Sequence, residues 1–252
     1  MRNTTVLLVF TILFSTGCSK KNESEKHTVN GKTIKALLVS ATNKNVAAND
    51  SLNKLIDFKF PANNNHNNLF IDSIKSSSGK TFYAVLLQYP NPAYNRFAVY
   101  DSLLNCYLID KSLSGNILLQ NISVSNLNFI KVKEHFTSKD IFDINRLSLY
   151  SVKDTSVNLV FRTFVSFKYF EYEFDQRIEE ITNISIKTSI ISNRYSPVNN
   201  KSDEFIFNRK SGKYESADNL FKKFVVGKID RSKIHIEKPQ ITDVKSLMKS
   251  VQ

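Results

Sequence analysis

The sequence is poor in the residues that define several protein classes. It contains 6 Gly, 5 Pro, 2 Cys and no Trp in 252 residues. So little Gly and Pro excludes collagen-like and low-complexity chains, and two Cys are too few for a disulfide-stapled scaffold. No apolar run reaches the roughly 20 residues of a membrane-spanning helix, which excludes a protein with several such helices.

The remaining composition is that of a globular protein. Hydrophobic residues make up 41% and charged residues 23% of the chain, so disorder throughout is excluded. The length corresponds to one large domain or two small ones. Lys and Arg exceed Asp and Glu by a formal charge of +12, which favours anionic partners without naming one.

Residues 1–18 carry a pattern that is typical of protein export. Arg2 precedes an apolar stretch over residues 4–14, and small residues at 15–17 lead to Cys18. A basic start, a short apolar segment and a small-residue cleavage site characterise a secretory signal peptide, and the segment is too short to span a membrane. One interpretation is an ordinary signal peptide in which the cysteine has no function.

The Ser-Thr-Gly-Cys ending resembles the lipobox of bacterial lipoproteins, apart from Ser15, where the strict pattern has Leu. The resemblance implies cleavage before Cys18 and attachment of a diacylglycerol to its thiol. Two or more acyl chains give stable anchoring, whereas one chain is marginal. By the same resemblance, Ser19 in place of Asp favours the outer membrane. The mixed, basic-first segment 19–26 favours its periplasmic face over the cell surface.

Most of the chain that follows shows the two-residue period of β-strands, with many β-branched and aromatic residues. Residues 81–89 form a nearly continuous apolar run, which predicts a buried strand. Residues 96–110 predict one or two further strands. Residues 117–133 predict two more, with breaks at Asn121 and Asn126.

The clearest strand covers residues 157–169, where odd positions are largely apolar and even positions largely polar. This alternation predicts a half-solvated antiparallel sheet. The parity then reverses, which predicts a bulge or a tight turn near Tyr169 and Phe170. Residues 178–190 indicate another strand, with a helix as the alternative.

Turn and helix signals are fewer. Residues 204–208 and 212–215 predict the two strands of a hairpin. Residues 217–226 predict a short helix capped by Ser216, and residues 243–251 predict a second one. Consecutive strands without regular helices between them argue against a parallel α/β sheet. We therefore expect a mainly β fold, an antiparallel β-sandwich or curled sheet with a few short helices.

These patterns predict three segments. Residues 1–17 are expected to be a lipoprotein signal peptide, and residues 18–31 a lipidated flexible tether, because they are polar and lack apolar periodicity. Residues 32–252 are expected to form a β-rich globular domain. A further subdivision near residue 145 is left open, because no linker marks it.

Motifs of enzymes and of metal sites are missing. There is no G-x-S-x-G elbow, no glycine-rich phosphate loop and no H-E-x-x-H pair. The four His are far apart in sequence, so no metal ion and no cofactor is expected. Cys106 lies in an apolar segment and is expected to be a core residue rather than a nucleophile. Residues 110–115 faintly resemble a calcium loop, but a plain turn explains them equally well.

Two groups of residues are candidates for binding. Glu171, Glu173 and Asp175 belong to the densest acidic set, and alternation places them on one strand face. Paired carboxylates can catalyse glycoside hydrolysis or bind cations, although a solvated sheet face is the favoured interpretation. Tyr89 and Tyr94 flank a proline-rich loop that could present two rings to a ligand or partner, or simply connect two strands.

The sequence predicts a lipid-anchored cell-envelope protein that acts as a binding or assembly component rather than as an enzyme. Its expected partners are the membrane, through the lipid on Cys18, and an envelope protein, an anionic glycan or a cell-wall polymer. Nucleic acid is not expected, because an exported protein meets other anions. A periplasmic hydrolase that uses the carboxylate set and an immunity or inhibitor lipoprotein are the alternatives.

Overall fold

The computed structural model describes residue 36 and residues 68–223, apart from 90–94, 104, 125–126, 139–141, 170–171 and 193–200. The chain divides into two compact units, Met1–Leu113 and Ser114–Gln252. The predicted signal peptide, the tether and the helix at 243–251 lie outside the described residues.

The first unit contains a four-stranded antiparallel sheet whose spatial order follows the sequence. Its strands are β1 (Asn68–Lys75), β2 (Thr81–Gln88), β3 (Arg96–Asp101) and β4 (Cys106–Asp110). β2 is buried along most of its length, which confirms the strand predicted over residues 81–89. β3 and β4 confirm the two-strand alternative predicted for residues 96–110.

The second unit contains an eight-stranded antiparallel meander. Its strands are β5 (Asn116–Val124), β6 (Leu127–Ser138), β7 (Phe142–Lys153), β8 (Ser156–Tyr169), β9 (Tyr172–Ile181), β10 (Ser185–Ser192), β11 (Lys201–Asn208) and β12 (Lys213–Glu215). Each strand pairs with the next one along the chain. β12 also contacts β8, although β9, β10 and β11 separate them in the sheet order, so the sheet curls back on itself.

A core of apolar side chains fills the inside of this curl. Phe161 on β8 contacts Phe205 on β11 edge-on, with ring centroids 4.9 Å apart, and Tyr214 on β12 at 6.5 Å. The other buried members of the cluster are Phe129, Leu147, Leu149, Val160 and Ile186. Buried aromatic rings are large sources of hydrophobic stabilisation, so contacts between strands far apart in the sheet order hold the curl together.

β8 confirms the strand predicted over residues 157–169 but corrects its environment. β7 and β8 pair through two register shifts, which follow Asn145 and Leu149 on β7. Such irregularities bend a strand and increase its twist. Arg162 and Phe164, at even positions of β8, are buried. The prediction of a half-solvated strand is therefore wrong in the middle of β8, where both faces are covered.

Two predicted chain reversals are confirmed. Tyr169 at the end of β8 pairs with Tyr172 at the start of β9, as the change of parity predicted. β11 and β12 form the predicted hairpin, in which Asn208 pairs with Lys213. Gly212 in the connection has a φ of 70°, which glycine adopts without the steric cost of a side chain.

Two predicted boundaries are wrong. A turn at Thr182 divides residues 178–190 between β9 and β10, because the Thr182 hydroxyl accepts a hydrogen bond from the Ser185 N–H at 2.9 Å. Such a local side-chain bond leaves no trace in the apolar pattern. Asn121 does not break a strand, because it lies inside the β5–β6 ladder. Asn126, the other predicted break, lies outside the described residues.

The predicted fold class, mainly β with antiparallel sheets and little helix, is confirmed. A helical turn covers residues 220–223, and Asn219 caps it, because its Oδ1 accepts a hydrogen bond from the Lys222 N–H at 3.1 Å. The Ser216 hydroxyl accepts from the N–H groups of Asp218 at 3.2 Å and Asn219 at 2.9 Å, which precede the turn, so the predicted cap at Ser216 is wrong. Within the described ranges, no helix is long and apolar enough to cross a membrane. The boundary between the compact units follows Leu113, and residue 145 lies inside β7.

Candidate functional site

A cavity of about 550 Å³ opens at one end of the curled sheet in the second unit. Its walls come from the starts of β6 and β8, the end of β7, the β9–β10 turn and the β11–β12 hairpin. This volume lies within the usual range of small-molecule sites. The lining residues are Leu127, Phe129, Ser151, Lys153, Asn158, Leu159, Val160, Asn183, Phe207, Arg209, Lys210, Ser211, Gly212, Lys213 and Tyr214.

The floor of the cavity is apolar. Phe129, Val160 and Tyr214 are buried members of the core cluster, and Leu127 and Phe207 pack against it with part of their surface exposed. The rings of Phe207 and Tyr214 meet edge-on, with centroids 5.1 Å apart. The cavity is therefore a continuation of the core of the curl, open at one end.

The rim of the cavity is cationic. Lys153 lies at the end of β7, Arg209 and Lys210 lie in the β11–β12 connection, and Lys213 begins β12. Within the described part of the chain, none of these four side chains forms an ion pair. No acidic residue is among the described residues that line the cavity. Clustered cations create a positive potential that attracts anions.

Local hydrogen bonds order the β11–β12 hairpin that supplies three of the four cations. Asn208 Oδ1 accepts a hydrogen bond from the Lys210 N–H at 2.9 Å, and Asn208 Nδ2 donates to Glu215 Oε2 at 2.8 Å. Hydrogen bonds from Ser211 and Asn208, together with the charge of Lys213, lower the pKa of Glu215. Glu215 is therefore ionised at neutral pH and offsets part of the Lys213 charge without lining the cavity.

A buried ion pair lies between β6 and β7 in the same unit. Arg146 donates two hydrogen bonds to the Glu134 carboxylate, Nε to Oε2 at 2.7 Å and Nη2 to Oε1 at 2.8 Å. Glu134 Oε1 also accepts from the N–H groups of Ser114 at 2.8 Å and Gly115 at 3.3 Å. Both carboxylate oxygens have donors within the protein, so we assign the pair a structural role.

A polar cluster in the first unit surrounds Asp101. Its Oδ1 accepts hydrogen bonds from the N–H groups of Leu103 and Asn105, both at 2.9 Å. Lys80 Nζ lies 3.1 Å from Asp101 Oδ2 and also donates to the Tyr107 hydroxyl. Burial lowers the pKa of Lys80, but the bonds to Tyr107 and Asp101 outweigh it and raise the pKa overall. Lys80 is therefore protonated at neutral pH and unsuited to act as a nucleophile.

Two of the predicted carboxylates, Glu173 and Asp175, are described, and they lie outside the described lining of the cavity. Both are exposed residues of β9. Glu173 lies opposite Lys168 in the β8–β9 ladder. Partial burial and then the charge of Glu173 raise the pKa of Asp175, against the effect of Arg177. Glu171 lies outside the described residues, and a binding role for the set stays a prediction.

Of the predicted tyrosine loop, the structure describes Tyr89 but not residues 90–94. Tyr89 is only 2% exposed, and its backbone N–H donates to Asn95 Oδ1 at 2.9 Å. Burial raises the pKa of Tyr89, with the charge of Arg96 opposing. Tyr89 is therefore buried in this structure, and its binding role stays a prediction. Tyr94 and Cys18 lie outside the described residues, and their roles stay predictions.

The other candidates from the sequence have local explanations. Cys106 is half-buried on β4. His135 Nε2 lies 2.9 Å from Asp143 Oδ1. Asp110 Oδ1 accepts a hydrogen bond from the Ser112 N–H at 2.7 Å, as in a plain turn. Among the residues that the structure describes, no group of three or more His, Cys, Asp and Glu side chains is placed to hold a metal ion.

Comparisons with known proteins identify no relative, since no family model, no curated protein and no solved structure matches the chain. The candidate site therefore rests on geometry, and sequence reasoning missed it. The sequence did contain a signal for part of the rim, because three cations lie within residues 209–213. This segment belongs to the hairpin that the apolar pattern predicted. Lys153 and the apolar floor come from strands far away in sequence, so no local pattern unites them with the hairpin.

Proposed function

We propose that this protein is a lipid-anchored binding protein of the cell envelope, which holds its ligand in the cavity of the second unit. The observation that supports the binding role is the cavity itself, with an apolar floor and a cationic rim. The lipobox-like sequence ending at Cys18 supports the anchor. Ser19 supports the outer membrane as its location, and the mixed, basic-first segment 19–26 supports the periplasmic face.

The residue types at the cavity favour binding over catalysis. The described lining includes no Asp, Glu, His or Cys, the side chains that most often serve as general bases or nucleophiles. It combines aromatic and aliphatic side chains with a few polar groups, as ligand-binding pockets do. The partners that an exported protein with a cationic site meets are anionic lipids, glycans and cell-wall polymers.

Substitution of Cys18 tests the anchor. We expect Cys18→Ala to abolish incorporation of labelled fatty acid and to release or misprocess the protein, because acyl attachment needs the thiol. The measurement is metabolic labelling with membrane fractionation in a bacterial host. Cys106→Ala is the matched control, since it removes the other thiol and leaves the lipobox intact. Undiminished labelling of Cys18→Ala would remove the basis for the proposed location.

A ring placed in the cavity tests the binding site. Asn158 is exposed on β8 and lines the opening, so Asn158→Trp fills part of the cavity with a side chain that suits a strand. Lys168→Trp puts the same ring on an exposed position of the same strand outside the cavity. Native mass spectrometry of the intact lipoprotein, recovered from its own membrane, detects bound compounds.

We expect wild type and Lys168→Trp to carry the same envelope compound and Asn158→Trp to lose it. A compound that stays bound to Asn158→Trp would place the binding site elsewhere. Wild-type protein that carries no compound under conditions that preserve the complex would also count against the proposed function.

A further inference from the structure

We propose that the cavity binds a phosphate ester that carries an apolar group, an inference that rests on the proposed function of the same cavity. The phosphate lies at the cationic rim, and the apolar group contacts the floor. Three features of the structure carry this assignment. They are the cations at the rim with no acidic residue in the described cavity lining, the number of these cations, and the apolar surface beneath them.

Four cations of the described chain meet at the rim, and no acidic side chain is among the described residues that line the cavity with them. Several other cations lie in ion pairs, among them Arg146–Glu134, Lys80–Asp101, Lys187–Glu180 and Lys223–Asp218. Within the described ranges, Lys153, Arg209, Lys210 and Lys213 form no ion pair, although the nearby charge of Glu215 offsets part of the Lys213 charge. Like charges around one opening repel each other, and a bound anion relieves that repulsion. The ligand is therefore an anion.

The number of cations favours a phosphate over a single carboxylate. A phosphate monoester carries close to two negative charges at neutral pH and offers three acceptor oxygens. The guanidinium of Arg209 can bind two of these oxygens side by side, and the Lys side chains act as point charges. Asn183 at the same opening adds a neutral donor. A carboxylate, with one charge and two oxygens, would use fewer of these groups.

The floor indicates the rest of the ligand. Leu127, Leu159 and Phe207 line the cavity with only part of their surface buried. Inorganic phosphate at the rim would leave this apolar surface in water, whereas an apolar group attached to the phosphate covers it and adds the hydrophobic contribution. A phospholipid and a phosphorylated sugar with an apolar substituent share this chemistry.

Calorimetric titration of the intact lipoprotein in neutral nanodiscs tests the assignment, with empty discs as the blank. We expect hexyl phosphate to bind at least about tenfold more tightly than hexyl glucoside, which lacks the charge, and than inorganic phosphate, which lacks the apolar group. Dihexanoyl phosphatidic acid and hexyl glucoside 6-phosphate, which both carry a phosphate and an apolar group, form two further arms. Tighter binding of the first supports a lipid source, and tighter binding of the second supports a sugar source.

Matched variants locate the bound probe. Arg209→Ala and Lys210→Ala should each weaken hexyl phosphate binding about tenfold, because each removes a charged hydrogen-bond donor from the rim. Lys75→Ala and Lys168→Ala remove the same charge from exposed positions outside the cavity and should change binding less than about twofold. Thermal unfolding of every variant verifies that it is folded.

Equal binding of hexyl glucoside and hexyl phosphate, or rim variants that behave like the two controls, would overturn the phosphate assignment. If inorganic phosphate bound as tightly as hexyl phosphate, the inference that the ligand carries an apolar group would be overturned. If hexyl phosphate does not bind while Asn158→Trp still displaces the natural compound, the inference fails and the proposed function stands. If Asn158→Trp retains that compound, the proposed function fails independently of the probe.

Discussion

At the scale of single residues, Glu134 and Arg146 are two opposite charges that the fold removes from water. Ionised groups are expensive to bury unless hydrogen bonds replace those of water. Here the guanidinium donates twice to the carboxylate and lies 5.2 Å from the centre of the Phe136 ring. Gly115 donates to the same carboxylate, and an added Cβ there would lie 2.9 Å from the His135 carbonyl oxygen. The pair therefore orders the entry into β5 next to β6.

Glu134→Gln should lower the free energy of unfolding by about 3–5 kcal/mol, because it leaves the Arg146 charge buried without a counter-ion. Urea unfolding monitored by circular dichroism measures the change. Glu134→Leu combined with Arg146→Met should recover much of the loss, since both charges are then absent. A loss below about 1 kcal/mol in Glu134→Gln would contradict the structural role of the pair.

At the scale of elements, side-chain oxygens close the turns between strands. The Asp101 carboxylate accepts hydrogen bonds from two backbone N–H groups in the β3–β4 connection. The Thr182 hydroxyl accepts one from the Ser185 N–H in the β9–β10 connection. Such bonds satisfy backbone donors where the strand ladder ends. They explain why residues 178–190 form a hairpin, although the apolar pattern alone resembled one strand.

Asp101→Asn should make the stability of the first unit less dependent on acid pH. Burial raises the pKa of Asp101, but hydrogen bonds from Asn105, Lys80 and Leu103 outweigh it and lower the pKa overall. The stabilisation by this carboxylate is therefore present above the unfolded pKa of about 4 and is lost as the pH falls through the lower folded value.

Chemical unfolding between pH 7 and pH 2 measures this dependence. We expect Asp101→Asn to be less stable than wild type by about 1–3 kcal/mol at pH 7, with the difference shrinking in acid. A difference that is the same at pH 2 and pH 7 would show that the ionised carboxylate is not the stabilising group.

At the scale of the whole molecule, the curl of the eight-stranded sheet creates both the core and the cavity. It brings β12 against β8 and encloses Phe161, Phe205 and Tyr214. The connections at one end of the sheet then surround the open end of that core, which gives an apolar floor beneath charged turns. The proposed binding site therefore depends on the tertiary curl rather than on any single strand.

A double-mutant cycle of Phe161→Leu and Phe205→Leu tests the contact that holds the curl. Each single change should destabilise the protein, because it leaves part of a packed core site unfilled. The two changes should be coupled by about 0.5–1.5 kcal/mol, the contribution of an edge-on aromatic pair beyond its buried area. Additive effects in urea unfolding would mean that the two rings do not stabilise each other.

The sequence predicted individual strands and one chain reversal, but it did not predict which polar side chains are buried. Alternating apolar residues predicted β2 and β8, and the parity change predicted the reversal between Tyr169 and Tyr172, because strand periodicity is a property of neighbouring residues. The burial of Arg162 was not predictable in this way. Its hydrogen bonds go to Ser148 and Tyr150 on the adjacent strand, and a local pattern does not contain that partner.

The sequence by itself determined the strand content, the antiparallel class and the prediction of an exported, lipidated chain at Cys18, since each depends on residues close together along the chain. Only the tertiary structure decided that the sheet curls, which polar residues are buried, and that Lys153 and the 209–213 hairpin surround one cavity. The physical reason is that packing between β8 and β12 brings together residues about 50 positions apart in the sequence. Hydrophobic burial is also non-directional, so the periodicity of the sequence does not show which apolar faces will meet.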